Sequence, residues 1–430
     1  MNVLIWFKRD LRLEDQPALA LAAAKGPVLP VHVVDPEDWA QPDRAARHWA
    51  FAAESLTDLR AALAAHGVPL VLRTGETVAV LDRLVRAHAI TEIVSQAAPG
   101  TGWAQARDRR VAAWARSTGL RWTELPPDAT PPADLPPLTA TGPVEPGTLP
   151  SARALHLADD PCPNRPPGGR PAALALLDSY LSTRAASPRD SRHPPLTAER
   201  ASARLSAHLA FGTLGTAEIA TACAARLAER PGPAIAAGLR HLRTGLSLRA
   251  AAHAAALSPP APRLIGDARL RHALEQGETG LPFLDACLRY LRATGWLNHR
   301  CRALVASAAL HHLGLDPAET GTFLARRCLD YDPAIHWPQI AALAAPPRSA
   351  AHPVRAGQML DPTGAFTRRW VPELAPLPDA LLQEPWKWPG ARTLLGRRYP
   401  ETLASLTPTP RPALPQPRRP ASAAQLSLDL

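Results

Sequence analysis

Fourteen prolines fall between Leu125 and Pro171, several of them in pairs or beside glycines. Proline lacks the N–H that helices and sheets need, and it turns the preceding residue away from helix. No regular element can run through such a stretch, so it divides the chain in two. Before it, short apolar runs alternate with amphipathic stretches. Val3–Phe7, Val28–Val34, Leu70–Arg73 and Ile93–Ser95 are rich in β-branched and aromatic side chains and read as strands. Pro17–Ala24, Ala45–His66, Val78–His88 and Ala104–Ser117 have helical spacing. Such alternation predicts an α/β unit with a doubly wound parallel sheet covered on both faces. From Ala172 to about Arg392, Leu, Ala and Arg recur three and four residues apart, which predicts an all-helical unit. The expected organisation is an α/β domain over 1–127, a proline-rich linker over 128–171 and a helical domain over 172–400. A disordered tail rich in Pro and Arg would follow over 401–430.

The net charge of +10 favours a polyanionic partner. Lysine, however, occurs only at Lys8, Lys25 and Lys387, so the arginine excess reads equally as a composition bias. The five cysteines, Cys162, Cys223, Cys287, Cys301 and Cys328, form no CxxC pair, and no metal site is expected. No run is long enough to span a membrane, and the apolar opening is too short for a signal peptide. The expectation is a cytoplasmic monomer with no membrane partner. The first strand is not followed by GxGxxG, which disfavours an ordinary dinucleotide site in the α/β domain.

Four further blocks carry the chemistry. Ser202-Ala-Arg204-Leu205-Ser206 precedes a helical run ending at Gly212. Read alone it is a capped helix. Helix starts also present unpaired amides that attract anions. Glu278–Arg289 is followed by Thr294-Gly-Trp296-Leu-Asn298-His299-Arg300-Cys-Arg302. Asp330-Tyr-Asp332-Pro-Ala-Ile-His336 comes next, then Asp361-Pro-Thr-Gly364 and Arg368-Arg-Trp370-Val-Pro-Glu373-Leu. In this order and spacing, and with Trp6–Leu19 at the start, the chain resembles the DNA photolyase/cryptochrome family. Its His336 is nearest the short-photolyase-like bacterial branch.

The resemblance implies FAD held in the helical domain. Ser202, Arg204, Leu205 and Ser206 match the segment that receives the diphosphate, and Trp296 and His299 match further cofactor contacts. Arg302 matches the guanidinium beside the flavin ring, a cation that cannot lose its proton. Asp330 matches its ion-pair partner, and Asp332 the acceptor for the flavin N3–H. His336 replaces the usual Asn facing flavin N5 and reads either as a proton or hydrogen-bond donor or as a neutral core histidine. Arg302, Asp330 and His336 are the catalytic candidates. An Arg–Asp pair in a helical core is by itself no more than a buried salt bridge.

The implied function is blue-light repair of cyclobutane pyrimidine dimers in DNA, with Arg249, Arg300 and Trp337 as DNA-binding candidates. A cryptochrome-like photoreceptor without repair activity is the alternative. Gly245, Leu248 and Ala342 replace residues of the usual lesion pocket, and Ile340 and Pro317 stand where the family keeps photoreducing tryptophans. A second antenna chromophore is left open. Gln425-Leu426-Ser427-Leu428-Asp429-Leu430 is similar to peptides that dock on the DNA sliding clamp. Read alone it is a chance hexapeptide.

Overall fold

The computed structural model describes all residues except 99, 128, 131–133, 256–266, 346–350 and 404–430. Its N-terminal part is a parallel sheet built on β1 (Asn2–Phe7). The order of elements is β1, α1 (Pro17–Lys25), β2 (Val28–Val34), α2 (Pro36–Trp39), α3 (Ala46–Ala65), β3 (Val71–Thr74), α4 (Thr77–Ala87), β4 (Ile90–Gln96), α5 (Gly102–Thr118) and β5 (Arg121–Leu125). The strands lie side by side as β3-β2-β1-β4-β5, all parallel. The two-residue period of β1 sorts its side chains. Val3, Ile5 and Phe7 pack with α1 and α3, while Leu4 and Trp6 pack with α4 and α5. Pro30 is tolerated inside β2 because β3 begins opposite Val31, so no ladder bond is lost there. The sequence reading did not include β5. Its charged Arg121 and Glu124 are the mark of an edge strand, not of the apolar run sought.

The proline-rich stretch is laid along the α/β unit. Val28 N–H donates to Thr139 O at 2.7 Å, Leu72 N–H to Pro146 O at 2.7 Å, and Trp49 Nε1 to Pro150 O at 3.0 Å. Farther on, Asp160 receives the buried guanidinium of Arg47 through two contacts of 2.6 Å.

The rest is helical: α6 (Arg170–Ser182), α7 (Pro195–Ala201), α8 (Ser206–Phe211), α9 (Thr216–Ala228), α10 (Pro233–Ala255), α11 (Ala268–Gln276), α12 (Pro282–Thr294), α13 (His299–His311), α14 (Pro317–Arg327), α15 (Pro333–Ala344), α16 (Pro353–Leu360) and α17 (Ala365–Trp370). One apolar core joins α12, α13, α15 and α17, and another joins α6, α8, α9 and α10. Among the described residues no helix is long and apolar enough to cross a membrane.

The two halves meet where α8 ends. Gly212 has φ +66°, and a Cβ there would stand 2.3 Å from Arg9 O, so the position requires glycine twice over. Arg9 donates to Ala210 O at 3.1 Å and Tyr331 O at 2.7 Å, and Arg12 donates to Asp15 O and Gly212 O. The guanidinium groups satisfy main-chain carbonyls left at the ends of helix and loop.

Candidate cofactor site

The loop before α13 sets the site. Asn298 caps α13 by accepting from Cys301 N–H at 3.0 Å, and its amide donates to Arg192 O and His193 O. The first turn of α13 therefore lies against the 189–193 turn. It carries Arg300 and Arg302, cations placed where the helix dipole disfavours them, beside His299. Such a local conflict points to a need for positive charge at this end of the helix.

Arg302 reaches Asp330, with Nη2 at 3.0 Å from Oδ1 and 2.9 Å from Oδ2, and also donates to Leu297 O at 3.2 Å. Burial works against both charges, but the pair more than offsets it. Arg302 is held above the usual arginine range and Asp330 below the usual carboxylate range. A cavity lies beside them, with Ser206, Arg249, Trp296 and His299 also in its lining. Ser202 lines it too. Arg204 stands over the Trp296 ring at 4.7 Å and has φ +61°, an uncommon backbone for arginine. Leu205 is fully buried and precedes α8. Two buried polar atoms in the lining residues, Ser206 Oγ and Arg302 Nε, make no hydrogen bond of normal geometry, although the Ser206 hydroxyl is near enough to Asp330 to favour its charged form. Unpaired buried donors beside a cavity are what a polar ligand would satisfy.

Asp332 is fully engaged. Its Oδ1 accepts from Ala334 N–H at 3.1 Å and caps α15, and its Oδ2 is bound by Arg249 and, at 2.9 Å, by His253. Burial raises its pKa, but Arg249 and His253 together hold it below the ordinary range. His336 is buried, with Nε2 2.8 Å from Gly321 O. Burial pulls its pKa down to about 4, so it is a neutral imidazole at pH 7. It is not among the described residues lining the cavity.

Two DNA-binding candidates are buried. Arg249 is 5% exposed and faces Asp332 and the cavity. Trp337 is 4% exposed, its indole donates to Tyr331 Oη at 3.1 Å, and its ring fills the space beside Gly321. Arg300 is exposed. It lines a groove with Arg189, Arg192, His193, His241 and His299, next to the cofactor cavity through their shared His299. The sequence reading missed His253, Asn298 and the 189–193 turn. Only the run of Arg and His around 189–193 offered a signal there. Gln425–Leu430 lies outside the described residues.

Another cavity opens at the carboxyl edge of the sheet, lined by Trp6, Lys8, His32, Trp39 and Arg107 among others. Open α/β sheets bind ligands at this edge.

Residues 3–134 match the family model described as DNA photolyase, and residues 251–414 match the FAD binding domain of DNA photolyase. A deoxyribodipyrimidine photo-lyase of Thermus thermophilus is 31% identical over 86% of this chain and 92% of its own length. That of Streptomyces griseus is 29% identical over 94% and 96%. The crystal structure of Synechocystis sp. PCC6803 cryptochrome shares the fold, with a TM-score of 0.82 and 22% identity over 94% of this chain and 96% of that one. An α/β domain, a helical FAD-binding domain and this likeness along almost the whole sequence place the chain in the DNA photolyase/cryptochrome family.

Proposed function

We propose that this protein repairs cyclobutane pyrimidine dimers in DNA under blue light. The observation that carries the reading is the adjacency of two sites through His299: the cavity with the Arg302–Asp330 pair, and the basic groove of Arg189, Arg192 and Arg300. A lesion inside a duplex can reach a buried cofactor only by leaving the stack, and a flipped nucleotide needs its phosphates held at the cavity mouth. When bound, FAD in its reduced form would supply the light-driven electron that splits the dimer.

The chain's own groups then have separable roles. Ser206, Ser202 and Arg249 hold the diphosphate. Arg302, fixed by Asp330, keeps positive charge beside the flavin ring. Asp332, held by Arg249, His253 and the Ala334 N–H, fixes Arg249 at the cavity wall. His336 stays neutral and positions α15 against α14 through Gly321 O, so it serves in positioning rather than as an acid. Arg300 and its neighbours bind phosphates. The proposed domain limits remain 1–127 for the α/β part and 172–400 for the helical part. The cavity at the carboxyl edge of the sheet suits an accessory chromophore. Docking on a sliding clamp through Gln425–Leu430 completes the proposal and is tested by deleting those residues.

One observation favours light sensing without repair. The groove beside the cavity has no tryptophan or tyrosine among its described lining residues, and flat rings are what an unstacked base packs against. Repair of a dimer-containing oligonucleotide by fully reduced, illuminated protein decides between the two. Substantial repair supports the proposal. No repair with flavin fully reduced assigns the sensor.

A further inference from the structure

A line of aromatic rings runs from the cavity to the surface. Trp296 lines the cavity. Its ring centroid is 6.4 Å from that of Tyr290, edge to face at 81°. Tyr290 in turn is 5.3 Å from Trp370, at 72°. Trp370 is half-buried at the end of α17. These rings come from the loop before α13, from α12 and from α17, and their contact follows from the packing of α12 against α17.

The charges around this line are graded. The Arg204 guanidinium stands 4.7 Å from the centre of Trp296, which makes an electron harder to remove from that ring. The Tyr290 hydroxyl donates to Glu199, whose carboxylate also pairs with Arg204 at 3.4 Å. Tyr290 thus has a proton acceptor already in place. An oxidised phenol is a strong acid, so this hydrogen bond lets electron and proton leave together. Glu199 is partly exposed and can exchange that proton with water.

We propose that Trp296, Tyr290 and Trp370 form the electron-transfer line that reduces the flavin in this protein. The inference rests on the FAD assignment. An electron leaves the Trp296 ring for the light-excited oxidised flavin. Tyr290 refills Trp296 with one electron as its hydroxyl proton passes to Glu199. Trp370 then refills Tyr290 with one electron, Glu199 returns the proton, and the Trp370 indole proton goes to water. A thiol in solution gives Trp370 a hydrogen atom, and two thiyl radicals pair as a disulfide. The sum is one electron from a thiol to the flavin and one proton to water. Trp337 and Tyr331 form the competing pair, hydrogen-bonded to each other and to Asp43, but neither lines the cofactor cavity among the described residues.

The test uses flavin-loaded full-length protein, illuminated with dithiothreitol, with flavin occupancy measured first. Electron paramagnetic resonance reads the protein radical, and absorbance reads flavin bleaching. Wild type should give a tryptophanyl signal, with the radical resting on Trp370, when thiol is withheld and the sample is frozen under light. Tyr290→Phe keeps the ring and the packing. It should lose that signal and slow bleaching by about tenfold or more. Trp370→Phe should replace the tryptophanyl signal with a tyrosyl one and make bleaching insensitive to thiol concentration. Trp337→Phe should change nothing. Bleaching of Tyr290→Phe at the wild-type rate with equal flavin occupancy would overturn this inference alone, as would loss of the radical in Trp337→Phe. A wild type that binds no flavin would overturn the FAD assignment and this inference with it.

Discussion

Arg302 offers a single nitrogen to both oxygens of Asp330, at 3.0 and 2.9 Å, and leaves its buried Nε without a partner. The ion pair consumes only part of the guanidinium. What remains is a fixed cation with a spare donor on the cavity wall, the arrangement that suits an anionic flavin ring.

Arg302→Ala leaves Asp330 buried without its counter-charge, a defect that costs about 3–5 kcal/mol in buried pairs. The variant should lose most of its FAD or unfold below the wild-type melting temperature. Asp330→Asn, which keeps shape and a hydrogen bond, should fold and bind FAD more weakly. The ratio of flavin to protein absorbance after reconstitution, beside a melting curve, separates the two effects.

Arg300 and Arg249 should part company in DNA binding. Arg300→Ala removes an exposed phosphate contact, so it should weaken binding to any sequence and lower the slope of log K against log salt by about 1. Arg249→Ala should instead lower flavin content and stability, because Asp332 loses its buried partner. Titrations at several salt concentrations, with flavin content measured on the same samples, check both. An Arg249→Ala protein with full flavin and a changed salt slope would contradict its inward placement.

Acid should unfold this protein through its histidines. Burial lowers the pKa of His32, His208 and His336 to about 4 and that of His48 to about 3. Each therefore has a folded pKa below its unfolded value near 6.5, and below that pH the unfolded chain binds the extra protons. The stabilisation is complete above about pH 6.5 and is lost as pH falls toward 4, by up to about 1.4 kcal/mol per pH unit for each histidine. Denaturant midpoints at pH 7, 6 and 5 should fall steadily. His48→Gln should flatten the fall, if its amide keeps the bond to Cys328 O that His48 Nε2 makes at 2.9 Å.

Asp160 ties the proline-rich stretch to both halves. It binds Arg47 of α3 through two oxygens and Arg327 of α14 at 3.0 Å, while Arg47 also donates to Arg327 O at 2.8 Å. Asp160→Ala should destabilise the protein by about 3 kcal/mol, since Arg47 is left charged and almost fully buried. The expected readout is a lower urea midpoint with flavin content unchanged at low urea.

Whatever is local along the chain could be read from its residues. Alternation of strand and helix periods, closed off by fourteen prolines, is enough for an α/β unit and a helical one. Arg302 and the Asp330–His336 run were legible because order and spacing within one loop and one helix turn carry the resemblance. Helix rotation was not legible. α10 is Ala- and Leu-rich around its circumference, so no stripe told which way Arg249 points, and only packing against α15 turned it toward Asp332. Trp337 read as a DNA-facing ring only through the resemblance. Gly321, on the preceding helix α14, opens the slot that buries it. The basic groove gathers Arg189, His241 and Arg300 from three separate segments, and the line Trp296–Tyr290–Trp370 gathers rings from three more. Contacts between elements distant in sequence depend on which faces bury against each other, and that is settled by packing in three dimensions, not by order along the chain.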